Sequence, residues 1–191
     1  MVMIFLVSGF CNPSLAINIL LPEPTTYQLS GHIYQVHLEN SFQKATITPG
    51  IFFEGFYKKH YPAADDYFRN SGEPFTTLAG GAGINVTFSL IDHIQVSYGA
   101  GYFIGHFAYP AVLDSGAIVI QHDERHSIGV NGALATFHRY KKIKAGIRVC
   151  LNIIPFGAQE QTSGSNWQIP PHLHQASLVS FGAGLQVGME P

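Results

Sequence analysis

The stretch from Phe75 to Leu113 reads FTTLAGGAGINVTFSLIDHIQVSYGAGYFIGHFAYPAVL, and Asp92 is its only Asp, Glu, Lys or Arg. Apolar residues alternate with Gly, Ser, Thr, Asn and Gln along both arms, which is the period of a β-strand. A strand with one face in water normally carries charged residues on that face. An alternation without charges suits a wall between hydrocarbon and a small packed lumen. It is typical of a transmembrane β-barrel.

The composition of the whole chain is low in charge. Asp, Glu, Lys and Arg make up 12% of the 191 residues and the net charge is −2, whereas roughly 25% charged residues is usual in soluble domains. No run of about 18 apolar residues is present that could form a spanning helix. Basic residues form no cluster larger than Lys58-Lys59 and Lys141-Lys142. We therefore expect a membrane wall built of strands, and no nucleic-acid partner.

The N-terminus has the pattern of an export signal. Val2 to Phe10 is an apolar segment, and Ser14-Leu15-Ala16 is a small-x-small site of the kind that signal peptidase cleaves behind. Residues 1–16 are therefore predicted to be a signal peptide, and residues 17–191 a single β-barrel domain. The positive charge that usually precedes the apolar segment is missing. The alternative is that this segment is a buried first part of the mature fold.

Period-two alternation predicts strands on both sides of the opening hairpin. Together with that hairpin they form an all-β, antiparallel, up-and-down transmembrane β-barrel. An even strand count is usual for bacterial barrels, so eight strands are expected, with a short first one. A ten-strand barrel that also uses residues 117–121 is the alternative. Besides the two strands of the hairpin, the predicted strands are residues 17–21, 27–38, 45–57, 128–136, 143–153 and 175–189.

The predicted connections alternate in length. Short links at residues 39–43, 89–92 and 139–142 are expected to be periplasmic turns. Longer polar segments are expected to be outer loops, as in membrane barrels with tight turns on one side. The predicted outer loops are residues 58–74, 108–123 and 157–171.

On this pattern, the chain from Ile17 to its C-terminus resembles small outer-membrane β-barrel proteins of the OmpA-transmembrane and OmpX type. The resemblance implies a location in the bacterial outer membrane, with outer-membrane lipid as one partner. The chain departs from that group at its end, Val187-Gly188-Met189-Glu190-Pro191, where a terminal aromatic residue is usual. The resemblance implies an architecture and no particular activity.

Polar residues on the inward face are predicted to form a lumen cluster. An eight-strand barrel has an interior only wide enough for its own side chains, so charges there must be paired. We expect Glu54 to bond Arg148 or Lys144 within a packed polar lumen, and not a conducting pore. The predicted inward polar residues are Glu54, Arg148, Lys144, Asn85, Gln95, Asn131, Asn152 and Gln186.

Two further groups of residues are candidate sites of chemistry. A histidine group near the predicted outer ends, consisting of His122, His126, His172 and His174, could hold a divalent metal. It offers no closed ligand set, so neither a metal nor a cofactor is predicted. His126 and Ser127 are the candidate catalytic residues for an enzyme that modifies lipid A. Adjacent strand residues point to opposite faces, and the His-x-Ser-Asn pattern sought for a lipid A deacylase is absent.

The function predicted from the sequence is a non-enzymatic outer-membrane barrel with surface-exposed loops. Residues 58–74, 108–123 and 157–171 would contact an extracellular macromolecule. Two alternatives stay open: a lipid A-modifying enzyme in the same fold, and a soluble lipocalin-like barrel that binds a small ligand.

Overall fold

A computed structural model describes residues 12–22, 33–41, 46–60, 75–113, 115–158, 167–168 and 175–189. Among these residues there is no helix with the length and hydropathy needed to cross a membrane. The described residues form nine strands: β1 (Asn12–Pro22), β2 (Ile33–Ser41), β3 (Ile47–His60), β4 (Phe75–Ile91), β5 (Ile94–Leu113), β6 (Ile118–Tyr140), β7 (Ile143–Ala158), β8 (Trp167–Gln168) and β9 (Gln175–Met189).

Eight of these strands close into a ring. Each strand from β1 to β6 pairs antiparallel with the next one in the chain, β7 pairs with β9, and β9 pairs with β1. The two-residue strand β8 lies outside the ring, and its pairing within the described ranges is with Val112 and Leu113 at the end of β5. The predicted eight-strand, up-and-down β-barrel is confirmed. The ten-strand alternative is wrong, because residues 118–121 belong to β6.

Tight turns join the strands at one end of the ring. Asp92 and His93 form the turn between β4 and β5, and Lys141 and Lys142 form the turn between β6 and β7. Lys141 has φ 56°, the left-handed conformation that a two-residue hairpin turn requires. These two turns agree with the short links predicted from the sequence.

The opposite end differs from the prediction. Residues 108–123 were expected to be an outer loop, and this is wrong: β5 and β6 continue pairing as far as Val112 and Ile118. Among the described residues, the β4–β5 ladder ends at Ala108 and the β6–β7 ladder ends at Val130. Residues 109–113 of β5 and 118–129 of β6 therefore continue beyond the described ladders to their other neighbours. Residues 105–113 of β5 and 118–129 of β6 are called the upper hairpin below. Residues 61–74, 159–166 and 169–171 of the other two predicted loops lie outside the described residues.

The first strand is longer than the sequence predicted. β1 begins at Asn12 and pairs with β2 from that residue onward, whereas the predicted strand began at Ile17. Ala16 is fully buried, and it pairs with both His37 and Gln186. Cleavage behind Ala16 would remove residues 12–16 from these ladders. The signal peptide itself stays a prediction.

Many of the large apolar side chains of the barrel lie on its outside. Every strand of the ring contributes at least two exposed large hydrophobic residues, and Ile84, Ile128 and Leu185 are each more than 70% exposed. Residues between them on the same strands are buried in the interior. Those inward positions include Glu54, Asn131 and Arg148.

The upper interior is filled by a cluster of aromatic residues packed against glycines. The ring centroids of Phe52 and Phe103 lie 6.4 Å apart, and those of Phe56 and Phe103 lie 6.1 Å apart. A Cβ atom at Gly83 would lie 2.6 Å from the Phe52 ring and 2.2 Å from the Ala100 carbonyl oxygen. Glycine at this position is required by the space that the ring and the neighbouring backbone occupy.

We expect Gly83→Ala to destabilise the barrel by about 1–3 kcal/mol, because the added methyl group must displace backbone as well as a phenyl ring. Gly80→Ala is the matched control on the same strand, since its Cβ would have only an ordinary contact at 3.6 Å from the Glu54 carbonyl oxygen. The control should change stability by less than about 0.5 kcal/mol. Urea unfolding in lipid vesicles measures both variants, and equal midpoints would contradict the packing argument.

Candidate functional site

The centre of the lumen holds a hydrogen bond between opposite walls. The Asn131 amide on β6 donates to Oε1 of Glu54 on β3 over 2.9 Å, and both side chains are buried. β3 and β6 are separated in the ring by β4 and β5, so this bond crosses the interior. It supplies a partner for a carboxylate that would be costly to bury alone.

A second polar chain crosses the lumen between β2 and β7. The Gln35 amide donates to Oδ1 of Asn152 over 3.4 Å, and the Asn152 amide donates to the Ser180 hydroxyl over 3.3 Å. The Cys150 thiol donates to Oε1 of Gln35 over 3.3 Å. β2 and β7 are separated by β1 and β9, so this chain also joins strands that share no ladder.

The other predicted lumen residues occupy separate places. Arg148 is 1% exposed and has the largest of the fully buried side chains among the described residues. Lys144 is buried with its ammonium 5.1 Å from the centroid of the Phe137 ring. Asn85 is buried, whereas Gln95 is half-buried and donates to the Ser89 hydroxyl over 3.3 Å. The structure thus brings Glu54 to Asn131, and a direct bond from Glu54 to Arg148 or Lys144 stays a prediction.

Sequence reasoning missed several members of these networks. Gln35 and Ser180 are buried and bonded, and Thr87 donates to Oε1 of Glu39 over 2.9 Å. Ser180 was visible on the small-residue face of the last strand. The inward face of β2 could not be assigned from the sequence, because apolar residues occur at both the odd and the even positions of this strand.

Above the polar lumen, the aromatic cluster continues to the upper end of the interior. The rings of Phe107 and Phe156 meet edge to face at 5.3 Å, and the Arg125 guanidinium lies 5.2 Å from the Phe107 centroid. Arg125 is buried and forms an ion pair with Asp123. These groups occupy the upper part of the described interior, where an eight-strand ring has room only for its own side chains.

The two candidate catalytic residues lie on opposite sides of the wall. Ser127 is buried, and its hydroxyl donates to the Pro155 carbonyl. His126 faces outward, with Nδ1 2.7 Å from the Tyr102 hydroxyl and Nε2 3.3 Å from Oε1 of Glu124. The structure therefore does not bring Ser127 to His126. It brings Tyr102 and Glu124 there instead.

Glu124 also contacts a second imidazole. Oε2 of Glu124 lies 3.3 Å from Nδ1 of His106 on β5. The side chains of His106, Glu124 and His126 are each about half exposed, at 58%, 51% and 48%. We call Tyr102, His106, Glu124 and His126 the outer polar cluster. The i, i+2 spacing of Glu124 and His126 was the one sequence signal for it, because such residues share a strand face.

The histidine candidates for metal binding are not assembled. His122 is exposed and lies on the outer face of β6, while His172 and His174 fall outside the described residues. No group of three or more His, Cys, Asp or Glu side chains within the described ranges is arranged to hold a metal ion. The expectation of no metal and no cofactor stays a prediction.

Comparisons with known proteins find similar barrels among the solved structures. No protein-family model matches the chain, and no curated protein does either. One similar solved structure is Neisserial surface protein A, which shares 11% identity over 95% of this chain and 96% of that chain, with a TM-score of 0.48. Another is the N-terminal β-barrel domain of OprF from Pseudomonas aeruginosa, which shares 8% identity over 94% of this chain and 96% of that chain, with a TM-score of 0.46.

A third similar structure is the attachment invasion locus protein Ail of Yersinia pestis, in complex with the heparin analogue sucrose octasulfate. It shares 9% identity over 93% of this chain and 96% of that chain, with a TM-score of 0.44. These similarities agree with the resemblance to small outer-membrane β-barrel proteins that the sequence predicts. The architecture of the chain itself is established by its own strand pairing.

Asn131→Ala should destabilise the barrel by about 1–3 kcal/mol, because it removes a buried donor from the Glu54 carboxylate. Thr136→Ala is the control: Thr136 lies on the same strand, exposed on the outer face, and its replacement should change stability by less than about 0.5 kcal/mol. Urea unfolding in vesicles gives both values. A smaller loss for Asn131→Ala than for Thr136→Ala would show that the cross-lumen bond contributes nothing.

The folded protein should produce no stable conductance steps in a planar lipid bilayer, because the interior of an eight-strand barrel is occupied by its own side chains. A porin of about 16 strands, which leaves an aqueous channel, serves as the positive control in the same bilayer. Reproducible conductance steps from the pure protein would mean that the aromatic cluster does not close the lumen.

Proposed function

We propose that this chain is a bacterial outer-membrane β-barrel protein that anchors the upper hairpin outside the membrane for contact with an extracellular macromolecule. The observation that carries the proposal is the outward belt of large apolar side chains, which includes members of all eight strands of the ring. Such a belt is suited to contact with the hydrocarbon core of a membrane, because monomeric soluble proteins rarely expose apolar patches of this extent.

The distribution of polar groups supports the same proposal. Glu54, Asn131 and Arg148 are buried inside the ring, whereas Ile84 and Leu185 face outward. A lipocalin-like barrel requires the opposite arrangement, with an apolar interior for its ligand and a polar exterior. The soluble alternative therefore gains no support.

The upper hairpin supports the surface role. Its β6 arm runs without a ladder to β7 from Gly129 to Ile118, which at about 3.3 Å per residue is about 40 Å of strand. Its outer face carries His122 and Glu124, and its tip exposes Ser115 and Gly116. Polar side chains at this height fit contact with water, lipid headgroups or a partner outside the hydrocarbon.

Topology can be tested with a site-specific protease whose recognition sequence is inserted between Ser115 and Gly116. We expect cleavage on intact bacteria, because this turn would lie on the cell surface. The matched insertion between Lys141 and Lys142, in a short turn at the other end of the ring, should be cleaved only after the outer membrane is permeabilised. The reverse pattern would invert the proposed orientation, and recovery of the protein in the soluble fraction would overturn the membrane location.

A further inference from the structure

The outer polar cluster places four hydrogen-bonding side chains at one level of the wall. Tyr102 and His106 come from β5, Glu124 and His126 come from β6, and the register pairs His106 directly with Glu124. A carboxylate between two imidazoles is a defined arrangement beside the apolar belt. Strand pairing brings the two residues of β5 to the two residues of β6.

The contacts of His126 with Tyr102 and Glu124 suit one assignment of hydrogen-bond donors and acceptors. The proposed site uses the tautomer of His126 with the proton on Nε2, the nitrogen that lies 3.3 Å from Oε1 of Glu124, because a carboxylate can only accept hydrogen bonds. In that tautomer Nδ1 is the acceptor, and it lies 2.7 Å from the Tyr102 hydroxyl. Catalytic contacts such as that between His126 and Glu124 often shorten only when a substrate binds.

We propose that Tyr102 is the nucleophile of an acyl-transfer site, with His126 as its general base and Glu124 as the group that orients His126. A nucleophile within 2.6–3.2 Å of a base that a third group orients is the arrangement that activates hydroxyl nucleophiles, tyrosine included. The second oxygen of Glu124 contacts His106, which holds the plane of the carboxylate. The site uses His126 as the sequence suggested, but with Tyr102 in the place of Ser127.

The position of the cluster indicates the class of substrate. Ile128, which pairs with Tyr102, is 73% exposed, and Tyr98 on the same face is 62% exposed, so the apolar belt begins directly below the Tyr102 hydroxyl. An ester carbonyl between a lipid headgroup and its acyl chain lies at such a boundary. The substrate class is therefore an acyl ester of a membrane lipid, and this assignment rests on the proposed membrane location.

The chemical step balances without a cofactor. Tyr102 Oη attacks the ester carbonyl carbon while its proton moves to Nδ1 of His126. The ester C–O bond then breaks, the lipid alcohol takes that proton, and the acyl group remains on Tyr102 as an aryl ester. Water attacks this ester and gives a proton to His126, which returns it to the departing Tyr102 oxygen. The products are a free fatty acid and a lipid lacking one acyl chain.

The test uses the full chain refolded in detergent micelles, with p-nitrophenyl octanoate as the probe. Wild-type protein should release p-nitrophenol, and peptide mass spectrometry should find an octanoyl group on Tyr102. Tyr102→Phe and His126→Gln should each lower the rate at least about 100-fold, the usual contribution of a positioned base or its nucleophile. Tyr98→Phe, the same change on the same face of β5, should leave the rate unaltered.

Heat-modifiable gel migration confirms that each variant is folded, and the Tyr98→Phe control shows that loss of a surface phenol alone has no effect. A wild-type rate equal to that of detergent buffer, or a Tyr102→Phe rate equal to wild type, would overturn the catalytic site.

Vesicles of phosphatidylethanolamine and phosphatidylglycerol then test the substrate class by release of fatty acid. Turnover of the p-nitrophenyl ester without any fatty acid release would overturn the lipid assignment. Because the micelle assay needs no membrane location, its result is separate from that of the protease experiment.

Discussion

The narrow interior of an eight-strand ring is the constraint on which the rest of this structure depends. Such a ring has room only for its own side chains, so every large inward residue must be matched by small ones opposite. Phe52 and Phe103 fill the upper interior. The space for their rings and for close strand contact comes from glycines on β4, β5 and β6, namely Gly81, Gly83, Gly99, Gly101 and Gly129. The glycine-rich alternation that first distinguished the sequence is thus a packing requirement of the lumen.

The same constraint explains why the buried polar groups bond across the lumen. In a space without bulk water, a group such as Glu54 must find its partners among protein side chains. Asn131 reaches it from the far wall, and Asn152 reaches Gln35 in the same way. These bonds join strands that are not neighbours in the ring. They add side-chain links to a wall that is otherwise held by backbone ladders.

Much of the fold could be predicted because the outer and inner faces require different residues at a period of two. β9 was predicted with its observed bounds of Gln175–Met189, and the β4–β5 hairpin was placed with its turn at Asp92. The prediction failed where that pattern is absent. Residues 118–123 of β6 fall within the polar segment 108–123 that the sequence predicts to be an outer loop. At β1 the sequence predicts a signal peptide instead, because Ser14-Leu15-Ala16 has the form of a cleavage site, and that part of the prediction is not tested by the strand pairing.

The failure at β6 also explains why the outer polar cluster could not be found from the sequence. The run His122-Asp123-Glu124-Arg125-His126 places Asp123 and Arg125 inside and the other three residues outside. A strand with charges on both faces cannot lie in hydrocarbon, so this run marks the height at which the apolar belt ends. Tyr102 pairs with Ile128 just below that height, while its hydroxyl reaches up to His126. Its partner is determined by the β5–β6 register, and residues separated by 24 positions cannot be matched by any local pattern. The β5–β6 register therefore determines where the Tyr102–His126 bond lies. The same register places this bond at the height where the apolar belt ends.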